Sequence, residues 1–138
     1  MTPKLTFTII AAWTTLQGIA LFVLAPTVTI QAFDMSLMTP EGIEVGTIMH
    51  QALGSMCAGM GIIFFFCRNL DGRAARNILL GTGIGLLVIL ASISNHMFLV
   101  DGVHPPPPAF VMQVVLVVLA FVTSIAPLGN SDDPQLSD

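Results

Sequence analysis

The chain has 138 residues, of which 54% are hydrophobic and 9% are charged, and its formal net charge at pH 7 is −4. An ordinary soluble domain contains about 45–50% apolar and about 25% charged residues, so this composition excludes a water-soluble fold and indicates a membrane protein. The chain also has no glycine-rich phosphate loop and no basic aromatic patch, which argues against nucleotide and nucleic-acid binding.

Four apolar blocks follow one another along the chain, at residues 7–25, 47–67, 78–100 and 110–128. Each is close to the roughly 20 residues that cross about 30 Å of hydrocarbon as a helix, and none contains Asp, Glu, Lys or Arg. The sequence therefore predicts an all-α fold: a polytopic membrane protein whose four transmembrane helices form an up-down bundle and a single domain over residues 1–128.

Local sequence features mark the starts of the second and fourth predicted helices. Before the second block, Thr39 is suited to cap a helix that starts at Pro40, with Glu41 in its first turn. We therefore expect this helix to begin before the membrane, and residues 26–38 to lie along the outer interface as a loop or a short amphipathic segment. Ahead of the fourth block, a run of prolines predicts a stiff extended strut whose last member, Pro108, starts the last helix.

All four basic residues fall on one side of this arrangement. Lys4 precedes the first block, and Arg68, Arg73 and Arg76 lie between the second and third blocks. Because loops rich in Lys and Arg stay in the cytoplasm, both termini are predicted to be cytoplasmic in an inner (plasma) membrane. Residues 129–138 then form a short acidic cytoplasmic tail.

Small residues recur at helical spacing in the two middle blocks: Gly46, Gly54 and Ala58 in the second, and Gly81 and Gly85 in the third. Small side chains let two helix backbones approach closely, which matters in lipid because apolar burial drives helix association only weakly. We therefore expect the second and third helices to pack against each other.

Two histidines, His50 and His96, lie about one turn inside the outer ends of these antiparallel helices and therefore share a depth. Polar groups within a membrane are candidates for functional sites. The favoured interpretation is hydrogen bonding between helices near the headgroups. Three alternatives remain: haem ligation through one or both imidazoles, a copper or zinc site, and a quinone or small-molecule pocket in which Asn95 and a histidine bind a carbonyl. The metal alternative would use His50, His96, His104 and Met97 or Asp101.

The embedded residues assemble no nucleophile–base–acid triad, and Cys57 and Cys67 are too far apart along one helix to bond each other. These observations favour a protein that is not an enzyme.

The pattern resembles small uncharacterised bacterial four-helix membrane proteins, loosely akin to DoxX-like proteins. The stretches that carry the resemblance are "MTPEGIEVG", "QALGSMCAGMG", "RNILLGTGIGL" and "VDGVHPPPP". The resemblance implies the four-helix architecture already argued, and it assigns no functional residue.

The sequence as a whole predicts an accessory or scaffold subunit that packs against a larger membrane complex or against its own copies within the lipid bilayer. In this interpretation the chain needs no cofactor. The alternative is a redox protein that binds haem, copper or quinone through His50 and His96.

Overall fold

The computed structural model describes residues 2–32, 39–70, 72–99 and 107–126, and all regular structure within these ranges is helical. The five helices are α1 (Pro3–Val23), α2 (Ala25–Ala32), α3 (Pro40–Cys67), α4 (Gly72–Leu99) and α5 (Pro107–Ile125). The predicted all-α class is confirmed, and α2 is a short helix at the start of the segment that follows the first span.

Among the described residues, three helices are long and apolar enough to cross a membrane: Pro3–Val23, Pro40–Cys67 and Gly72–Asn95. The apolar part of α5, Ala109–Ile125, is shorter. At about 1.5 Å per residue it spans about 26 Å, near the lower limit for a transmembrane helix. A polytopic helical membrane protein is thus supported, while the count of four spans remains a prediction.

The helix starts follow the local sequence. Thr39 caps α3, since its Oγ1 accepts a hydrogen bond from the backbone N–H of Gly42 at 3.1 Å, and Pro40 begins the helix as predicted. Gly72 has φ of +60°, a left-handed conformation that glycine adopts without strain, and it begins α4. In the last helix the first residue is Pro107, one position before the predicted start.

The helices pack as two antiparallel pairs. In the first pair, α1 and α3 meet backbone to backbone: a Cβ added to Gly54 would lie 2.6 Å from the carbonyl oxygen of Gly18, and one added to Gly61 would lie 2.7 Å from the backbone nitrogen of Thr15. In the second pair, α4 and α5 pack together, and a Cβ added to Gly83 would lie 3.2 Å from the ring of Phe121. Glycine is needed wherever two backbones approach this closely.

The predicted packing of α3 against α4 is wrong, because these two helices make few direct contacts within the described residues. The small residues of α3 pack against α1 and α2 instead. Gly54 lies against Gly18 and Phe22, and Gly46 lies against the side chain of Thr29. Ala58 also faces Gly18. On α4, a Cβ at Gly81 or Gly85 would meet nothing within 4 Å.

The core lies at the end of the bundle that carries the basic residues. Phe7, Ile10, Leu79 and Leu116 are fully buried there and bring α1, α4 and α5 together. The buried hydroxyls of Thr6 and Thr123 lie 2.8 Å apart and join α1 to α5 at the same end. The helix pairs are therefore held together near this end, and a space remains between α3 and α4.

Candidate functional site

His50 of α3 is half-buried, and its position is set by two hydrogen-bonding groups. Its Nδ1 lies 2.8 Å from the carbonyl oxygen of Gly46 and 2.9 Å from the hydroxyl oxygen of Thr29. The hydroxyl of Thr29 in turn donates to the carbonyl oxygen of Ala25 at 2.8 Å. A carbonyl oxygen can only accept, so the contact with Gly46 is a hydrogen bond when Nδ1 carries a proton.

This geometry turns His50 toward α2, whereas the sequence predicted that it would face the third span. The pairing is a hydrogen-bonded helix contact, which is the interpretation that the sequence favoured for this residue. Within the described part of the chain, no three His, Cys, Asp or Glu side chains are grouped closely enough to hold a metal ion.

The other members of the predicted histidine cluster are not joined to His50 by any described contact. The side chain of Asn95 is exposed on α4. His96 and Met97 belong to the same helix, but their side chains lie outside the described residues, and so do Asp101 and His104. The proposed meeting of two imidazoles therefore remains a prediction.

The structure shows a second candidate site, a cleft of about 700 Å³ between α3 and α4, which we call the α3–α4 cleft. Its walls are apolar and come from Leu53, Met56, Met60 and Ile63 of α3 and from Ile78, Gly81, Gly85 and Ile89 of α4. No Asp, Glu, Lys or Arg is among its described lining residues. Such a volume, with mostly apolar walls, is typical of a small-molecule site.

The floor of the α3–α4 cleft is polar. Gln113 of α5 is 8% exposed, and its Nε2 donates to the backbone carbonyl of Leu86 at 3.3 Å. Thr82 of α4 is 9% exposed, and it lines the cleft as well. Across the cleft, Gln17 and Thr14 of α1 add an amide and a hydroxyl to the lining. The cleft thus combines apolar walls with a few convergent polar groups.

Sequence reasoning missed these polar residues because their chemistry is less distinctive than that of histidine. The available signal was an amide inside an otherwise apolar span, at Gln17 in the first block and at Gln113 in the last. Uncharged polar side chains inside a membrane helix usually bond across to another helix, and Gln113 does so.

No protein family, curated protein or solved structure matches this chain. The resemblance to DoxX-like proteins stays a prediction, and the functional argument depends on the chain's own geometry.

Proposed function

We propose that α1, α3, α4 and α5 all cross an inner (plasma) membrane and that both chain termini are cytoplasmic. The start of α1, the end of α3 and the start of α4 lie at one end of the bundle, and Lys4, Arg68, Arg73 and Arg76 lie at this same end. Clustered basic residues favour retention of that end in the cytoplasm.

Cysteine labelling tests this orientation. In a background carrying Cys57→Ala and Cys67→Ala, an impermeant maleimide added to intact spheroplasts is expected to label Glu41→Cys and to leave Asn69→Cys unlabelled until lysis. Both positions are exposed, so access through the membrane decides the result. Labelling of Asn69→Cys from outside would contradict the orientation.

Within this topology, the protein acts as an accessory or scaffold subunit that packs against a larger membrane complex or against its own copies. The observation that carries this role is a face of α3, formed by Ala52, Ser55 and Gly59, that no described part of the chain covers; we call it the outer α3 face. A Cβ added to Gly59 would meet nothing within 4 Å, whereas Gly54 and Gly61 on the α1 side are tightly packed. Small residues at one per turn on a free face permit close approach of another transmembrane helix.

Two further features support docking at this face. Ile48 and Phe66 flank it and are 57% and 70% exposed, so they offer large apolar side chains for contact. The hydroxyl of Ser55 donates to the backbone carbonyl of Gln51 at 2.9 Å, so no unsatisfied O–H donor opposes burial of the face.

Replacing Gly59 with leucine tests the role directly. Because the space around Gly59 is open, the variant is expected to keep the fold of the single chain and to lose the associated subunit. Gly85→Leu is the matched control, since it makes the same change at another open glycine that faces the α3–α4 cleft. Mass spectrometry after purification in mild detergent measures the co-purifying chains.

A wild-type protein that leaves the membrane as a lone monomer would contradict the accessory role. So would a Gly59→Leu variant that keeps its partner as fully as Gly85→Leu does.

A second candidate function, cofactor binding through His50, is favoured by the contact between its Nδ1 and a backbone carbonyl. Histidines that bind metals commonly donate their other ring N–H to such a carbonyl, and the Nδ1 of His50 lies 2.8 Å from the carbonyl oxygen of Gly46. The imidazole of His50 would then help to hold haem or copper.

The absorption spectrum and metal content of the purified protein test this second candidate. If it is correct, a Soret band or bound copper is present in the wild type and is lost in His50→Ala. Thr29→Val keeps the Gly46 contact and is expected to retain the cofactor. A wild-type protein with neither signal would exclude the haem and copper versions.

A further inference from the structure

We propose that the α3–α4 cleft binds a neutral lipophilic molecule whose head group carries a carbonyl oxygen, and that Gln113 and Thr82 receive this head. The site is separate from the outer α3 face, and the inference is independent of the accessory role.

The first support is the unused hydrogen-bonding capacity at the cleft floor. The amide of Gln113 has two N–H donors, and the Leu86 carbonyl accounts for one of them. Gln113 and Thr82 both line the cleft with side chains that are largely buried, so the second N–H of Gln113 and the hydroxyl of Thr82 are donors for a molecule held there. Because the interior of a membrane lacks water, a ligand acceptor that reaches these donors would be stabilised.

The depth of the polar floor selects the kind of ligand. Leu86, the hydrogen-bond partner of Gln113, lies about 14 Å from Asn95, where the candidate span of α4 ends, at roughly 1.5 Å per residue. The headgroups of phospholipids lie at the edges of the hydrocarbon layer, about 15 Å from its centre. A molecule dissolved in the hydrocarbon core can therefore place its polar head beside Gln113, whereas a phospholipid headgroup cannot.

The lining and the volume restrict the ligand further. Without a charged side chain in its described lining, the cleft cannot compensate a charged head, so the ligand is neutral. The 700 Å³ of the cleft falls within the range of small-molecule sites. Met56 and Met60 in the wall have flexible side chains that can adjust to an alkyl chain.

The glycines of α4 supply the remaining space. A Cβ at Gly81 or Gly85 would meet no protein atom within 4 Å, so neither position is small in order to let a described helix approach. A leucine at Gly85 would instead project into the cleft and fill part of it.

Fluorescence titration tests the proposal on the full-length protein in lipid nanodiscs. The chain has a single tryptophan, Trp13, which does not line the cleft but precedes the cleft residue Thr14 in α1, so its fluorescence is expected to respond to a quencher bound there. The probe is a decyl-substituted benzoquinone, whose ring carbonyls accept hydrogen bonds and whose ring quenches tryptophan fluorescence. Decylbenzene, which has the same chain without carbonyls, is the matched competitor.

We expect saturable quenching that decylbenzene does not reverse. Thr82→Val, which keeps the side-chain shape, is expected to raise the apparent Kd about tenfold, which is the effect of losing one hydrogen bond. Gln113→Leu is expected to raise the apparent Kd at least as much, and Gly85→Leu is expected to abolish saturable quenching. Gly59→Leu changes the outer α3 face alone and is expected to bind like the wild type.

Circular dichroism confirms that each variant remains folded, which matters because Gln113 also bonds α5 to α4. Unchanged binding by folded Thr82→Val and Gly85→Leu would overturn the proposal, and so would equal binding of decylbenzene. A phospholipid or a protein chain that co-purifies with the wild type and is lost in Gly85→Leu would also overturn it, because either would be the occupant instead. Loss of the partner chain in Gly59→Leu bears only on the accessory role.

Discussion

Replacing Gly18 with alanine is expected to lower the free energy of unfolding by about 2–3 kcal/mol, a typical cost of inserting a carbon atom into a tightly packed contact. A Cβ at this position would lie 2.5 Å from the carbonyl oxygen of Gly54 and 2.9 Å from the Cα of Ala58. Both are backbone atoms of α3, so neither can rotate away as a side chain would. The helices α1 and α3 would have to separate, and the loss of contact would extend along the pair.

Unfolding of the purified protein in mixed micelles, followed by circular dichroism as the fraction of SDS rises, measures this effect. Gly81→Ala is the matched control, since it adds the same atom where nothing lies within 4 Å. Because alanine favours a helix more than glycine does, the control is expected to be equally stable or slightly more stable than the wild type. Equal destabilisation of the two variants would show that α1 and α3 are not in close backbone contact.

The helical class could be predicted because it follows from a single requirement, the hydrogen bonding of the backbone in lipid. Long apolar runs without charge are stable in lipid only as segments that satisfy their own backbone hydrogen bonds. The start of α3 was also predictable, because Thr39 and Pro40 act on the turn in which they lie and need no distant partner.

The pairing of the helices was not predictable from the same spacing. In water, the apolar face of a helix marks the side that will be buried, but lipid is as apolar as leucine and removes this contrast. The sequence offered small residues on both α3 and α4, which suggested a shared interface. The actual partner of Gly54 is Gly18, a single glycine in α1 whose role depends on the antiparallel alignment of two whole helices.

The candidate sites, too, were predictable in part: the sequence pointed to His50 but not to its partner or to the cleft. His50 was singled out correctly as a polar group that needs a partner, but that partner, Thr29, lies in α2, where the sequence predicted a loop or a short amphipathic segment. The α3–α4 cleft exists because two helix pairs meet mainly at the basic end of the bundle. A property of the whole arrangement cannot be read from the residues of one helix.

Replacing Phe7 with alanine is expected to cost about 2–4 kcal/mol of unfolding free energy, which makes it the largest effect of a single side-chain truncation at the basic end. Phe7 is fully buried in the cluster that joins α1 to α4 and α5. In a membrane the unfolded helices stay in lipid, so removing the ring loses packing and leaves a cavity, with little of the water-transfer energy that adds to such changes in soluble proteins. The expected loss of unfolding free energy is therefore smaller than the largest losses known for Phe→Ala changes in the cores of soluble proteins.

Phe66→Ala provides the matched control, because the same ring at that position is 70% exposed. Its expected cost is within about 0.5 kcal/mol, as for other surface positions. The difference between the two phenylalanines, measured by SDS unfolding under identical conditions, isolates the contribution of the core from that of the residue type. If Phe66→Ala were the more damaging change in the purified single chain, the core would have to lie elsewhere. If it became damaging only in the assembled complex, the loss would place Phe66 at the contact between the outer α3 face and its partner.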